Sequence, residues 1–171
     1  MGRPNPRALD QVRPALLSVE EPSIEFTYHQ IMDLNTALAF VRARHQGVVT
    51  TIRTNGRPQL SNVFYVANDD SSLTVSITDT RAKTANMRRD PRVSLYVVGD
   101  NFFQYAVLEG TAELSPVARD PHDATVDQLV AYYRAGSGEH DNWDEYRTAM
   151  VAEHRLILTI HPEYAYGMIA S

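Results

Sequence analysis

Asn55-Gly56 is the dipeptide that most limits what this chain can fold into. Both central residues of a type I′ turn need positive φ, which Asn and Gly tolerate best, so the pair marks a tight hairpin when β-rich runs flank it. Val48-Val49-Thr50-Thr51-Ile52-Arg53-Thr54 precedes it, and a return strand over 57–67 follows, with Pro58 near its start, where a strand tolerates proline. Asn68-Asp69-Asp70-Ser71-Ser72 is a second turn. It leads into Leu73-Thr74-Val75-Ser76-Ile77-Thr78, where Leu73, Val75 and Ile77 alternate with polar residues. Strands joined by such short links are antiparallel.

The remaining elements follow from period and punctuation. A helix is expected over 33–45, capped by Asp33, with Leu34, Leu38 and Val41 on one face and Gly47 closing it. A short helix over 81–89 must stop near Asp90, because Pro91 disfavours helical geometry in the residue before it. Strands are expected over 92–98 and 103–114, the second passing through Gly110. Asp123 or Thr125 starts a helix reaching Arg134, with Val126, Leu129, Val130 and Tyr133 as its apolar face, and Gly136-Ser137-Gly138 breaks it. Asn142 caps another helix with a Trp143, Tyr146, Met150 stripe, and 155–160 is a last strand to which 164–167 adds. The order reads as an antiparallel α+β domain, and a closed barrel with flanking helices removes its sheet edges. Pro4, Pro6, Pro14 and Pro22 interrupt any helix near the start, so residues 1–30 read as an N-terminal extension, flexible or draped over a partner, and 31–171 as the single domain.

Composition narrows the function classes. With no cysteine, the chain has no disulfide, thiolate metal site or cysteine nucleophile. No run approaches the ~20 apolar residues of a membrane span, and no continuous apolar stretch follows Arg3 and Arg7 to make a secretory signal. A cytoplasmic protein with no membrane partner is expected. The net charge of −5 argues against a nucleic-acid partner.

Positive charge is nevertheless concentrated in one place. Residues 81–92 hold five of the sixteen Lys and Arg, among them Lys83, the only lysine. Arg81 and Lys83, two positions apart where a strand gives way to a helix, suit a phosphate; a solvated basic helix face is the alternative. Gln59 and Ser61 share a strand face with Arg57, while Leu60 and Asn62 take the other; the polar face meets either a ligand or solvent. Ser76 is the next polar residue close to the basic cluster. The aromatics of Phe102–Gly110 pack on a flat ring system, in a core or at a subunit interface. His140, between Glu139 and Asp141, reads as a surface loop rather than a metal ligand, and no nucleophile motif is present, so no metal and no catalytic residue is assigned.

Taken in order, Asn55–Asn62, Arg81–Arg92, Tyr105–Ala112 and Trp143–Thr159 resemble the pyridoxamine 5′-phosphate oxidase-like split β-barrel family over roughly residues 31–168. The likeness is greatest to its actinobacterial flavin/deazaflavin oxidoreductase branch, which uses coenzyme F-420. The resemblance implies a split barrel of six or seven antiparallel strands, and a homodimer with two cofactor sites at its interface. It implies that Arg81 and Lys83 hold the cofactor phosphate, with Ala82 between them among the cofactor-binding residues. Gln59, Ser61, Asn62 and Ser76 would line the ring or ribityl region. Phe103, Tyr105 and Ala106 lie in the segment that would face the ring. Hydride would pass from reduced F-420 to a conjugated small-molecule substrate, with Tyr65, Tyr105 or a water as proton source. The alternatives are an FMN-dependent oxidase or reductase on the same barrel, and a non-catalytic carrier of a flavin-like ligand.

Overall fold

The computed structural model describes residues 31–169, so the proposed N-terminal extension 1–30 lies outside the described residues. Four helices and seven strands follow the order α1 (Leu34–Arg42), β1 (Gln46–Ile52), β2 (Pro58–Phe64), β3 (Val66–Ala67), β4 (Leu73–Thr78), α2 (Ala82–Arg89), β5 (Arg92–Val98), β6 (Tyr105–Leu114), α3 (Ala124–Ser137), α4 (Trp143–Ala152) and β7 (Arg155–Met168). Every strand pairing is antiparallel, in the order β2-β1-β5-β6-β7-β4-β3.

That order forces the sheet to curl. β2 and β3 stand at opposite ends of it, yet only Tyr65 separates them in sequence. One residue spans no more than about 7 Å between its neighbours' Cα atoms, so the two ends of the sheet meet. β3 pairs only with Leu73 and Thr74, which leaves the rest of β4 without a strand on that side among the described residues. The barrel is therefore α+β and split, with its seam between β2 and β4. Tyr65 fastens the join: its side chain is fully buried and its hydroxyl donates to the Val41 carbonyl of α1 at 2.8 Å.

Alternation fills the barrel. Val49 of β1, Val75 and Ile77 of β4, Val93, Leu95 and Val97 of β5, and Leu108 of β6 point inward against Leu38 and Val41 of α1. β7 carries apolar residues on both faces. Leu156, Leu158 and Ile160 join the barrel core, while Ile157 joins a second cluster with Val126, Leu129, Tyr146 and Met150 of α3 and α4. Its continuous apolar run thus reflects burial from both sides.

Several boundaries differ from the sequence expectation, each for a local reason. The 53–57 hairpin is in place, but only Gly56 has positive φ (77°), Arg53 N–H donates to the Arg57 carbonyl (2.9 Å) and Gly56 N–H to the Arg53 carbonyl (2.9 Å). This is a three-residue loop ending in a left-handed glycine, not a type I′ turn. α1 ends at Arg42, and Gly47 lies within β1. β6 begins at Tyr105 rather than 103, because the Asn101 side chain accepts the Phe103 N–H (3.0 Å) and turns the chain. α3 runs through Gly136 and stops at Gly138 (φ 86°). β7 is one strand, because Gly110 lets it bulge: a Cβ there would lie 2.0 Å from the His161 carbonyl oxygen.

Candidate functional site: a cationic cleft at the barrel seam

The chain leaves β4 at Thr78 and enters α2 with Arg81 at the N-cap position, where its side chain makes no capping bond. Helix starts carry unpaired N–H groups, and those of Ala82 and Lys83 are available to an anion here. Thr84 pins the helix to the strand, its hydroxyl donating to the Thr78 carbonyl at 2.8 Å. Beside this start the seam opens into a cleft of about 310 Å³, lined by Asn62, Val63 and Phe64 of β2, Ser76, Ile77 and Thr78 of β4, Arg81, Lys83, Tyr132 of α3 and Arg155 of β7.

Three cations and no carboxylate line that cleft. Neither Arg81 nor Lys83 has an acidic partner within salt-bridge distance among the described residues, and Arg155 reaches only Glu153, at 3.9 Å. Burial, then repulsion from Arg81 and Arg155, holds the Lys83 ammonium below the usual lysine range. Such a cluster disfavours its own charge until an anion supplies the missing partner. Arg155 donates from Nε (3.1 Å) and Nη2 (2.7 Å) to Ser76 Oγ, and from Nη1 (3.2 Å) to Thr78 Oγ1. Tyr132 donates to the Phe64 carbonyl at 2.9 Å across the seam, and burial raises its phenol above the ordinary range.

Asn62, Val63 and Phe64 also line a second, larger hollow of about 540 Å³ on the outer sheet face, with Gln46, Gly47, Val48, Tyr96 and Val98. Phe64 stands between the two, stacked on His45 (centroids 5.2 Å, 15° between planes) and edge-on to Tyr132 (6.4 Å). Gly136 makes room for it, since a Cβ there would sit 2.5 Å from its ring. A charged cleft thus adjoins a more apolar, aromatic-walled hollow. The chemistry that fits both is a flat ring joined to a phosphate: three cations, hydroxyls and helix N–H groups for one end, and Tyr96, Val48 and Val98 for the other.

The sequence candidates fall into three groups. Asn62, Ser76, Arg81 and Lys83 line the cleft, with Ala82 beside it in the first turn of α2. Gln59 and Ser61 face α2 instead, in a chain of bonds: Asn86 Nδ2 to Thr51 Oγ1 (3.0 Å), Thr51 Oγ1 to Gln59 Oε1 (3.1 Å), and Gln59 Nε2 to Ser61 Oγ (2.8 Å). That network satisfies the buried Thr51 and Asn86 and anchors the helix. Phe103 is 72% exposed on the β5–β6 loop, Tyr105 lies tilted against Tyr96 (5.7 Å) on the outer face, and the Ala106 side chain is spent on barrel packing. Tyr65 is removed as a proton source, because its hydroxyl is buried on the Val41 carbonyl and burial pushes it far above the usual phenol range. Arg155, Thr78 and Tyr132 were missed. Their only sequence signal is an arginine opening a strand, and a long-range pairing of Arg155 with Thr78 brings it to the cleft.

Residues 35–168 match the family model described as pyridoxamine 5′-phosphate oxidase. The chain belongs to the pyridoxamine 5′-phosphate oxidase family. Solved structures agree at the level of fold. A conserved hypothetical protein from Mycobacterium tuberculosis superposes with a TM-score of 0.60 at 22% identity, over 79% of this chain and 83% of that one. A protein described as an F-420 reductase gives 0.57 at 22% identity, over 74% and 93%. A putative pyridoxamine 5′-phosphate oxidase from Listeria innocua gives 0.56 at 16% identity, over 77% and 94%. No helix among the described residues is long and apolar enough to cross a membrane.

Proposed function

We propose that this chain is an oxidoreductase that binds coenzyme F-420 and reduces a conjugated small molecule such as an enone or quinone. The observation that carries this reading is the junction of the Arg81–Lys83–Arg155 cleft with the aromatic hollow across Asn62–Phe64. The cofactor supplies hydride chemistry when bound, and the protein supplies position and field. Arg81, Lys83, Ser76 and the N–H groups of Ala82 and Lys83 hold the phosphate; Asn62 bonds the linking chain; Phe64 and Tyr96 wall the ring. The likeness to an F-420 reductase supports the deazaflavin over a flavin, and FMN is the second reading, because its phosphate meets the same cations.

The same reading makes the protein a homodimer. Leu60, Val98 and Met168 are exposed apolar residues on the outer face that carries the hollow, and Phe102 and Phe103 project from the loop beside it. A second copy over this face would cover them and close the hollow from outside, bringing Phe103 and Tyr105 to the partner's ring.

Fluorescence titration of purified protein with F-420 and FMN tests the assignment. Micromolar or tighter F-420 binding with weaker FMN binding, followed by oxidation of reduced F-420 in the presence of an enone or quinone, is the expected result. A preference for FMN moves the chain to the flavin enzymes; tight binding with no turnover across an acceptor panel makes it a carrier; binding of neither refutes the reading.

A further inference from the structure

Ser76 and Arg155 stand diagonally across the β4–β7 ladder, where Thr78 is the residue directly opposite Arg155. The guanidinium lies along these two side chains, with Nε and Nη2 converging on Ser76 Oγ at 3.1 and 2.7 Å and Nη1 on Thr78 Oγ1 at 3.2 Å. A serine hydroxyl has one proton and two acceptor lone pairs. With two N–H groups directed at its oxygen, the proton has to turn away from the guanidinium. Ser76 Oγ donates to no protein atom among the described residues, and it lines the cleft beside Arg81 and Lys83.

We propose that Arg155 is a positioning residue of the anion cleft: by occupying the acceptor side of Ser76 Oγ, it makes that hydroxyl a committed donor to the phosphate of the bound cofactor. The inference rests on the functional reading above and extends it to two residues on different strands. A hydroxyl that would otherwise rotate freely is held with its proton toward the ligand, so the orientation is set before binding. Thr78 Oγ1 accepts only the third bond, which anchors the guanidinium and leaves one of its lone pairs free. Arg155 contributes charge as well, but its hydrogen bonds go to the two hydroxyls, and Ser76 presents its proton to the ligand.

The test compares each phosphorylated cofactor with its dephosphorylated form, because a merely structural role would weaken both alike. Affinities of F-420, FMN, riboflavin and the dephosphorylated deazaflavin riboside are measured for the full chain, R155Q, R155K, S76A and the R155Q/S76A double variant. Wild type is expected to prefer the phosphorylated form at least tenfold. R155Q and S76A should each reduce that preference about fivefold or more, R155K should recover part of it, and R155Q should have a smaller effect in the S76A background. Unchanged preference in R155Q, equal losses for both forms, or fully additive losses would overturn the proposal, the last making Arg155 an independent cation. Should wild type bind phosphorylated forms with no preference, or bind no form, the functional reading fails and this inference with it. S76A removes a single oxygen, so it keeps the test decisive even if R155Q folds poorly.

Discussion

Lys83→Met separates a binding role from a structural one by the sign of two effects. Lys83 is half-buried beside Arg81 and Arg155 and has no acidic partner, so its charge opposes folding of the ligand-free protein. Its pKa is depressed in the folded state, so the unfolded chain holds the proton more tightly. The cost is present in full below the folded pKa and relieved as pH rises through the window up to the ordinary lysine value. Methionine keeps the apolar stem and removes the charge. The ligand-free variant should therefore be as stable as wild type or up to about 0.5 kcal/mol more stable, with Tm unchanged or raised by up to about 2 °C. Its small alkaline gain in stability should be reduced. Binding moves the other way. Loss of one charge-assisted bond costs about 1.5–3 kcal/mol, which is about 10- to 150-fold in cofactor affinity. Calorimetric melting in phosphate- and sulfate-free buffer reads the first effect, and cofactor titration the second. A ligand-free variant destabilised by more than about 1 kcal/mol, or one that binds cofactor like wild type, would refute this account of the cleft.

Other outcomes follow from particular contacts. Tyr65→Phe should cost about 0.5–1.5 kcal/mol in urea unfolding through the lost bond to Val41, and leave cofactor affinity unchanged. Gly110→Ala should cost about 3 kcal/mol or more, or fail to fold, because the new methyl meets backbone at the β7 bulge; a stability within about 1 kcal/mol of wild type would contradict the bulge geometry. Val98→Asp combined with Met168→Asp should convert a dimer to a monomer in sedimentation and weaken cofactor binding, while a monomeric wild type would remove the proposed interface.

What the sequence made legible was mostly local. Leu73, Val75 and Ile77 alternate in the chain and point into the barrel. Asp33, Asp123 and Asn142 each cap the helix they precede, accepting N–H groups from Thr36, Val126 and Glu145. The fold class followed because hairpin links leave few arrangements. The candidate cleft was most legible where its parts are neighbours in sequence, as Arg81, Ala82 and Lys83 are, and the candidates Asn62 and Ser76 reach it from β2 and β4. Gln59 and Ser61 pointed to polar demand on one strand face, but the partner of that face is Thr51 and, through it, Asn86, a side chain on a helix some thirty residues away. Arg155 gave no signal, because its meaning comes from a ladder that joins residues far apart in the chain. The strand expected over 103–114 begins at Tyr105, because the Asn101 side chain turns the backbone at Phe103.

The most direct measurement is a crystal structure of the protein with F-420 or FMN bound. The phosphate is expected within hydrogen-bond distance of Lys83 Nζ and Ser76 Oγ, at the start of α2, with the ring against Phe64 and Tyr96. A cofactor bound elsewhere, or one whose phosphate makes no contact with Arg81, Lys83 or Ser76, would contradict it.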